Sequence, residues 1–162
     1  MRYLSAGGIS MPACDAGSIR TFFVVCTLLA LFAGCSKLPA AYQTVSAENG
    51  RIRIPVGEVN DGKVHFYTYK NSGKRINFFI RTDGTGDLSA YFDACYTCYK
   101  HKKGYRQEGT DIICNECSMK FKLAEKDWRY NEGCCPIPLK SSVSGGFIVI
   151  MAEHIEKGAK LF

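Results

Sequence analysis

The chain reads as α+β, mostly β, with a small antiparallel sheet packed beside an irregular, cysteine-rich metal-binding lobe. Three observations carry this. Residues 51–92 hold short runs that alternate apolar and polar side chains and are separated by turn residues, the pattern of half-buried strands. Two pairs, Cys95-Tyr-Thr-Cys98 and Cys114-Asn-Glu-Cys117, precede an adjacent pair, Cys134-Cys135, across spacers of 15 and 16 residues. Between Cys95 and Cys135 the periodicity fades, so that stretch needs a metal or covalent staple to offset its own ordering entropy.

The N-terminal 35 residues read as a targeting segment outside the folded domain. Arg20 precedes an apolar run, Thr21-Phe-Phe-Val-Val-Cys-Thr-Leu-Leu-Ala-Leu-Phe-Ala-Gly-Cys35, too short for a comfortable bilayer crossing. Small residues Ala33-Gly34 stand directly before Cys35, an arrangement that resembles a bacterial lipoprotein signal, with Cys35 as the lipidated residue; Ser36 resembles the sorting signal for an outer membrane. The alternative is a plain N-terminal transmembrane helix, and Met11 is an alternative start to Met1. Either way the rest is expected in the cell envelope, facing periplasm or exterior, with lipid attached at Cys35 as the membrane contact. From Cys35 on, 19 Lys or Arg face 14 Asp or Glu, a net charge near +5. That balance suits an acidic partner or anionic lipid, and no dense basic block with interleaved aromatics points to nucleic acid.

Residues 36–50, with Pro39, several alanines and Asn49-Gly50, read as a flexible tether, and 51–162 as one domain. Ile52, Ile54 and Val56 alternate with Arg51, Arg53 and Pro55, and Pro55 places this strand at a sheet edge because it offers no N–H. Val64 to Tyr69 and Ile76 to Ile80 form a hairpin around Asn71-Ser-Gly-Lys74. Leu88 to Phe92 is a short strand that delivers the chain to Cys95, Ile112-Ile113 is a strand step into Cys114, and Phe147 to Met151 is a closing strand. Phe121, Leu123 and Trp128 are expected to pack over the cysteines and limit solvent access.

Each C-x2-C lets one tight turn aim two sulfurs at one soft ion, so Cys95, Cys98, Cys114 and Cys117 make four thiolate ligands, for iron–sulfur or for structural zinc. The basic residues Lys100, His101, Lys102, Lys103, Arg106, Lys120 and Lys122 follow the pairs and would offset the surplus negative charge. Two further readings stay open. Six cysteines remain once Cys14, Cys26 and Cys35 are set aside, an even number that suits a disulfide-stabilised binding module in an oxidising compartment. A thiol–disulfide oxidoreductase would need its C-x2-C at the start of a long helix, which Tyr99 to Gly104 is too short to provide. Adjacent Cys134 and Cys135 are poorly placed to bond one another. His101 reads as a solvent-facing base, His65 and His154 as isolated, Met119 as a core or lid residue, and Asp93 and Glu108 form no acid–base pair. An electron carrier is therefore expected ahead of an enzyme.

The chain also resembles the membrane iron–sulfur-containing, FtrD-like domain family over residues 50–162. The likeness runs through Phe92-Asp-Ala-Cys95, Cys98-Tyr99, Lys103-Gly-Tyr-Arg-Gln-Glu-Gly109, Ile113-Cys-Asn-Glu-Cys117, Phe121, Gly133-Cys134-x-Pro136-x-Pro138-Leu139 and Gly158-Ala-Lys-Leu-Phe162. The resemblance implies an iron–sulfur centre at a membrane surface, in some members beside ferrous-iron uptake permeases, with an unidentified redox or membrane protein as partner. It maps cluster ligands onto Cys95, Cys98, Cys114 and Cys117, with Cys134 as a fifth position of the pattern. Cys135 departs from it, since the family usually has Asn there, and is a possible additional ligand. Many members carry a fused permease, which this sequence lacks.

Overall fold

The computed structural model describes residues 42–126, 128 and 133–162. Cys35, the signal-type segment 1–35 and the first part of the expected tether lie outside them.

The fold is mostly β, with eleven strands in three small sheets among the described residues. A central sheet has the order β1(Gln43–Val45), β3(His65–Asn71), β4(Lys74–Thr82), β5(Leu88–Cys95), β9(Pro136–Leu139). A second joins β10(Ser142–Ser144), β11(Phe147–Met151) and β2(Arg51–Pro55), and a third joins β6(Tyr105–Glu108), β7(Asp111–Cys114) and β8(Lys120–Lys122). Short helices α1(Val56–Val59) and α2(Ala152–Glu156) follow β2 and β11. No helix of the described residues is long and apolar enough to cross a membrane.

Strand alternation puts the central sheet between two apolar cores. Tyr67, Tyr69, Ile76, Phe78, Ile80, Ala90 and Phe92 share one core with Ile52, Ile54, Ile148 and Ile150 of the second sheet and Ile155 of α2. Residues of opposite parity, Phe66, Phe79, Tyr91 and Cys95, share the other core with Tyr105, Ile112, Cys114 and Phe121 of the third sheet. The β3–β4 hairpin turns at Ser72-Gly73, both at positive φ (48° and 79°), which gives the two-residue turn whose twist matches its strands and pairs Asn71 with Lys74. Pro55 lies in an edge strand as expected.

Four expectations need correction. Residues 43–45 are not tether but a strand, parallel to β3 through Gln43↔Tyr67 and Val45↔Tyr69, so the central sheet is mixed and the ordered domain starts before residue 51. Val56 begins α1 instead of extending β2. The strand foreseen at Leu88 to Phe92 runs on to Cys95. The cysteine-rich lobe is not irregular: strands of three or four residues give it a sheet of its own, too short for alternation to register in the sequence.

Arg81 joins that lobe to the central sheet. Its side chain is fully buried, Nη1 donates to the Leu123 carbonyl and Nη2 to the Lys126 carbonyl, both at 2.8 Å, and the guanidinium lies 4.2 Å from the Trp128 ring centroid. Trp128 in turn donates from Nε1 to the Lys122 carbonyl at 2.7 Å. Arg81→Met keeps most of the volume but strands two carbonyl acceptors and removes the cation–π contact, so it is expected to cost about 2–4 kcal/mol. Denaturant unfolding followed by fluorescence of the chain's one tryptophan, Trp128, measures this.

Candidate metal centre

Cys95 ends β5, where the register with β9 shifts between Phe92 and Cys95 and the chain leaves the sheet. The next residues fold back so that the backbone N–H groups of Thr97 and Cys98 reach the Cys95 sulfur. A 3-10 turn over Tyr99–His101 ends at Lys102 in the left-handed region (φ 53°), and Gly104 (φ 61°) starts the approach to β6. Gly104 has no room for a side chain: a Cβ there would lie 2.2 Å from Asp93 Oδ2. Cys114 ends β7, and the Ser118 N–H donates to its carbonyl at 3.0 Å with Ser118 left-handed (φ 61°), which closes the second turn before β8.

Asn115 ties the turns together. Its N–H donates to the Gly104 carbonyl at 3.0 Å, its Nδ2 donates to the Lys103 carbonyl at 2.8 Å, and its Oδ1 accepts from Arg106 Nη1 at 2.9 Å. Glu116 adds an ion pair to Lys103 at 2.7 Å and faces His101 at 3.6 Å. The outcome is convergence: the sulfurs of Cys95, Cys98, Cys114 and Cys117 all lie within 4.8 Å of one another. Cys95 and Cys114 are buried, Cys98 is half-buried and Cys117 is exposed. Among the described residues all six cysteines are free thiols, so no disulfide competes for these sulfurs.

The adjacent pair splits. Cys134 Sγ lies 3.3 Å from Thr97 Oγ1 and beside Cys117, and the Thr97 hydroxyl donates to the Gly133 carbonyl. Cys135 turns into the apolar core, and its carbonyl accepts the Tyr96 N–H at 2.9 Å. Neither belongs to the convergent group of four. Phe121, Leu123 and Trp128 pack in the same core as Cys95 and Cys114, as anticipated, with Met119 against it. His65 pairs with Asp61 at 2.7 Å and His154 with Glu153 at 3.4 Å, and no histidine joins the sulfurs.

The surroundings fit a charged thiolate centre. Burial opposes ionisation of Cys95, but the Cys98 and Thr97 N–H groups draw its thiol down to about 7. Burial, then hydrogen bonds with Cys95 and Cys117, push Cys98 well up, so the metal-free site holds protons that a cation must displace. The Tyr105 hydroxyl is buried beside Cys95 Sγ without a well-formed hydrogen bond. Such an orphaned donor is satisfied when Cys95 is a metal-bound thiolate. Two residues before Cys95 on the same face of β5, Asp93 accepts the Tyr105 N–H at 2.7 Å and the Tyr42 hydroxyl. Burial pushes its carboxyl up to about 6 against those bonds.

Sequence comparison places this geometry in a family. Residues 59–162, well over half of the chain, match the model of the membrane iron-sulfur containing protein FtrD-like family. The chain belongs to that family. No curated protein matches it. Among solved structures, the quaternary ammonium Rieske monooxygenase CntA in complex with an inhibitor is similar at 20% identity and a TM-score of 0.41, over 60% of this chain and 29% of that one. The chain thus spans less than a third of that protein. The FtrD-like domain therefore carries a cysteine-based metal-binding site, Cys95, Cys98, Cys114 and Cys117, whose donor set is consistent with an iron–sulfur cluster.

Sequence reasoning missed the residues that support the sulfurs. Asn115, inside the second C-x2-C, carried the one usable signal, since a short amide between two ligands bonds neighbouring backbone. Tyr42, Thr97 and Tyr105 act across the fold and left no local pattern.

Because metal displaces thiol protons, affinity should fall in acid, climb as pH rises through about 7 where Cys95 ionises, and keep climbing above it while Cys98 holds its proton, with proton release on loading. Competition against a chromophoric chelator reads this out. Tyr105→Phe, which removes a donor to the Cys95 thiolate, should move the curve to higher pH.

Proposed function

We propose that the protein is a lipid-anchored electron carrier of the cell envelope, held to the membrane through Cys35 and working beside a redox or membrane protein, in the setting of ferrous-iron uptake. It acts as a carrier and not as an enzyme. The observation that carries this reading is the four-sulfur group with two sulfurs in the core and one at the surface. An iron centre bound there supplies one-electron chemistry.

The chain's own residues are arranged to support that role. Phe121, Leu123 and Trp128 keep water from the inner sulfurs, which limits reorganisation around a changing charge. Cys117 offers a short path from the sulfur group to a docked partner. Lys100, Lys102 and Lys120 lie exposed near the two turns, while Lys103 is paired with Glu116 and Lys122 with Asp111. Their positive field favours the more negative, reduced state and raises its potential. The same field attracts an acidic partner surface.

Full-length protein purified without oxygen is expected to contain iron and to show visible absorption that bleaches with dithionite. Colourless protein that holds only zinc would overturn the electron-carrier reading in favour of a structural site, which four thiolates at this spacing also suit. For the anchor, Cys35→Ala is expected to move the protein from the membrane fraction to the soluble one. Retention with the membranes would sink lipidation at that residue.

A further inference from the structure

The donors are those of an iron–sulfur protein, but the size of the cage is informative beyond their identity. Four thiolates at about 2.3 Å from one ion stand about 3.8 Å apart along the edges of a tetrahedron. In a sulfide-bridged cluster each thiolate points outward from its own iron, so sulfurs on different irons stand roughly 6 Å apart. Here all four lie within 4.8 Å of one another, which leaves no place for a bridging sulfide between them.

The cage is also braced against expansion. Cys95 is fixed by β5 and its pairing with Pro136, and Cys114 by its pairing with Tyr105. Asn115 bonds the second turn to Gly104 and Lys103 of the first. Moving the two buried sulfurs outward would drive them into a core that contains Phe79, Tyr105 and Ile112. Only the Cys98 and Cys117 side is free to give, and Cys134 stands beside Cys117 there.

We propose that this site takes a single metal ion in a tetrahedron of Cys95, Cys98, Cys114 and Cys117, without inorganic sulfide, and that Cys134 and Cys135 are not ligands. That the ion is iron rests on the electron-carrier reading; that there is one ion rests on the sulfur spacing alone.

The test is stoichiometry. Full-length protein is loaded anaerobically with ferrous iron, with and without sulfide, and iron, zinc and acid-labile sulfide are counted per chain. The expected result is one metal ion and no sulfide under both conditions. Two or four irons with matching sulfide overturn the single-ion proposal and leave the electron-carrier reading standing. One zinc that ferrous iron does not replace supports the single ion and overturns the electron carrier. Cobalt(II) added to the metal-free protein should saturate at one equivalent with the absorption of tetrahedral sulfur coordination, unchanged in Cys134→Ser and Cys135→Ser. Loss of one sulfur ligand from that spectrum in either variant overturns the assignment of the four.

Discussion

Strand β5 has to serve two cores at once, and the rest of the molecule follows from how it does so. Phe92 and Ala94 enter the core shared with the second sheet, while Tyr91 and Cys95 enter the core shared with the third. Because neighbouring residues of a strand face opposite ways, one slip of register would exchange these sets and carry Cys95 away from its partners. Pairing with β4 from Phe78↔Phe92 to Thr82↔Leu88, and with β9 from Ala90↔Leu139, fixes that register. The first sulfur is thereby set by the same alternation that builds the hydrophobic interior.

The second turn reaches Cys95 through a different economy of contacts. Strands β6, β7 and β8 bury Ile112, Phe121 and Tyr105 against the central sheet, and Arg81 and Trp128 close the far end of that packing. Apolar contact alone does not orient two short turns, since it has no direction. Orientation comes from Asn115, whose bonds fix Cys114 relative to Gly104, and from the glycine that lets the chain pass Asp93. Small polar groups position the sulfurs, and the core holds the assembly.

Much of this was legible in residues alone. Period-2 alternation revealed the β3–β4 hairpin, Pro55 its edge strand, and the two C-x2-C pairs the four converging sulfurs, because each of those features is local. What stayed hidden depends on contacts between distant residues. Gln43 to Val45 looked like a linker because its strand character comes from pairing with Tyr67 to Tyr69, far along the chain. The third sheet escaped notice because a strand such as Lys120–Lys122 is too short to show a period. Arg81 and Tyr105 showed no role of their own in the sequence, and Asp93 showed only the lack of an acid–base partner, because their roles arise where the tertiary fold encloses them.

The uneven burial of the four cysteines gives the site a door and a back wall. Cys95 and Cys114 are sealed in the interior, whereas Cys117 meets water and Cys98 stands between. A cation can arrive or depart only from the solvent side, so its last bonds to form are those to Cys98 and Cys117, and these are the first to yield to a competing chelator. The inner pair would keep its hold longest. Exchange of the ion is thus a stepwise event with a fixed order, set by which half of the cage the protein left open.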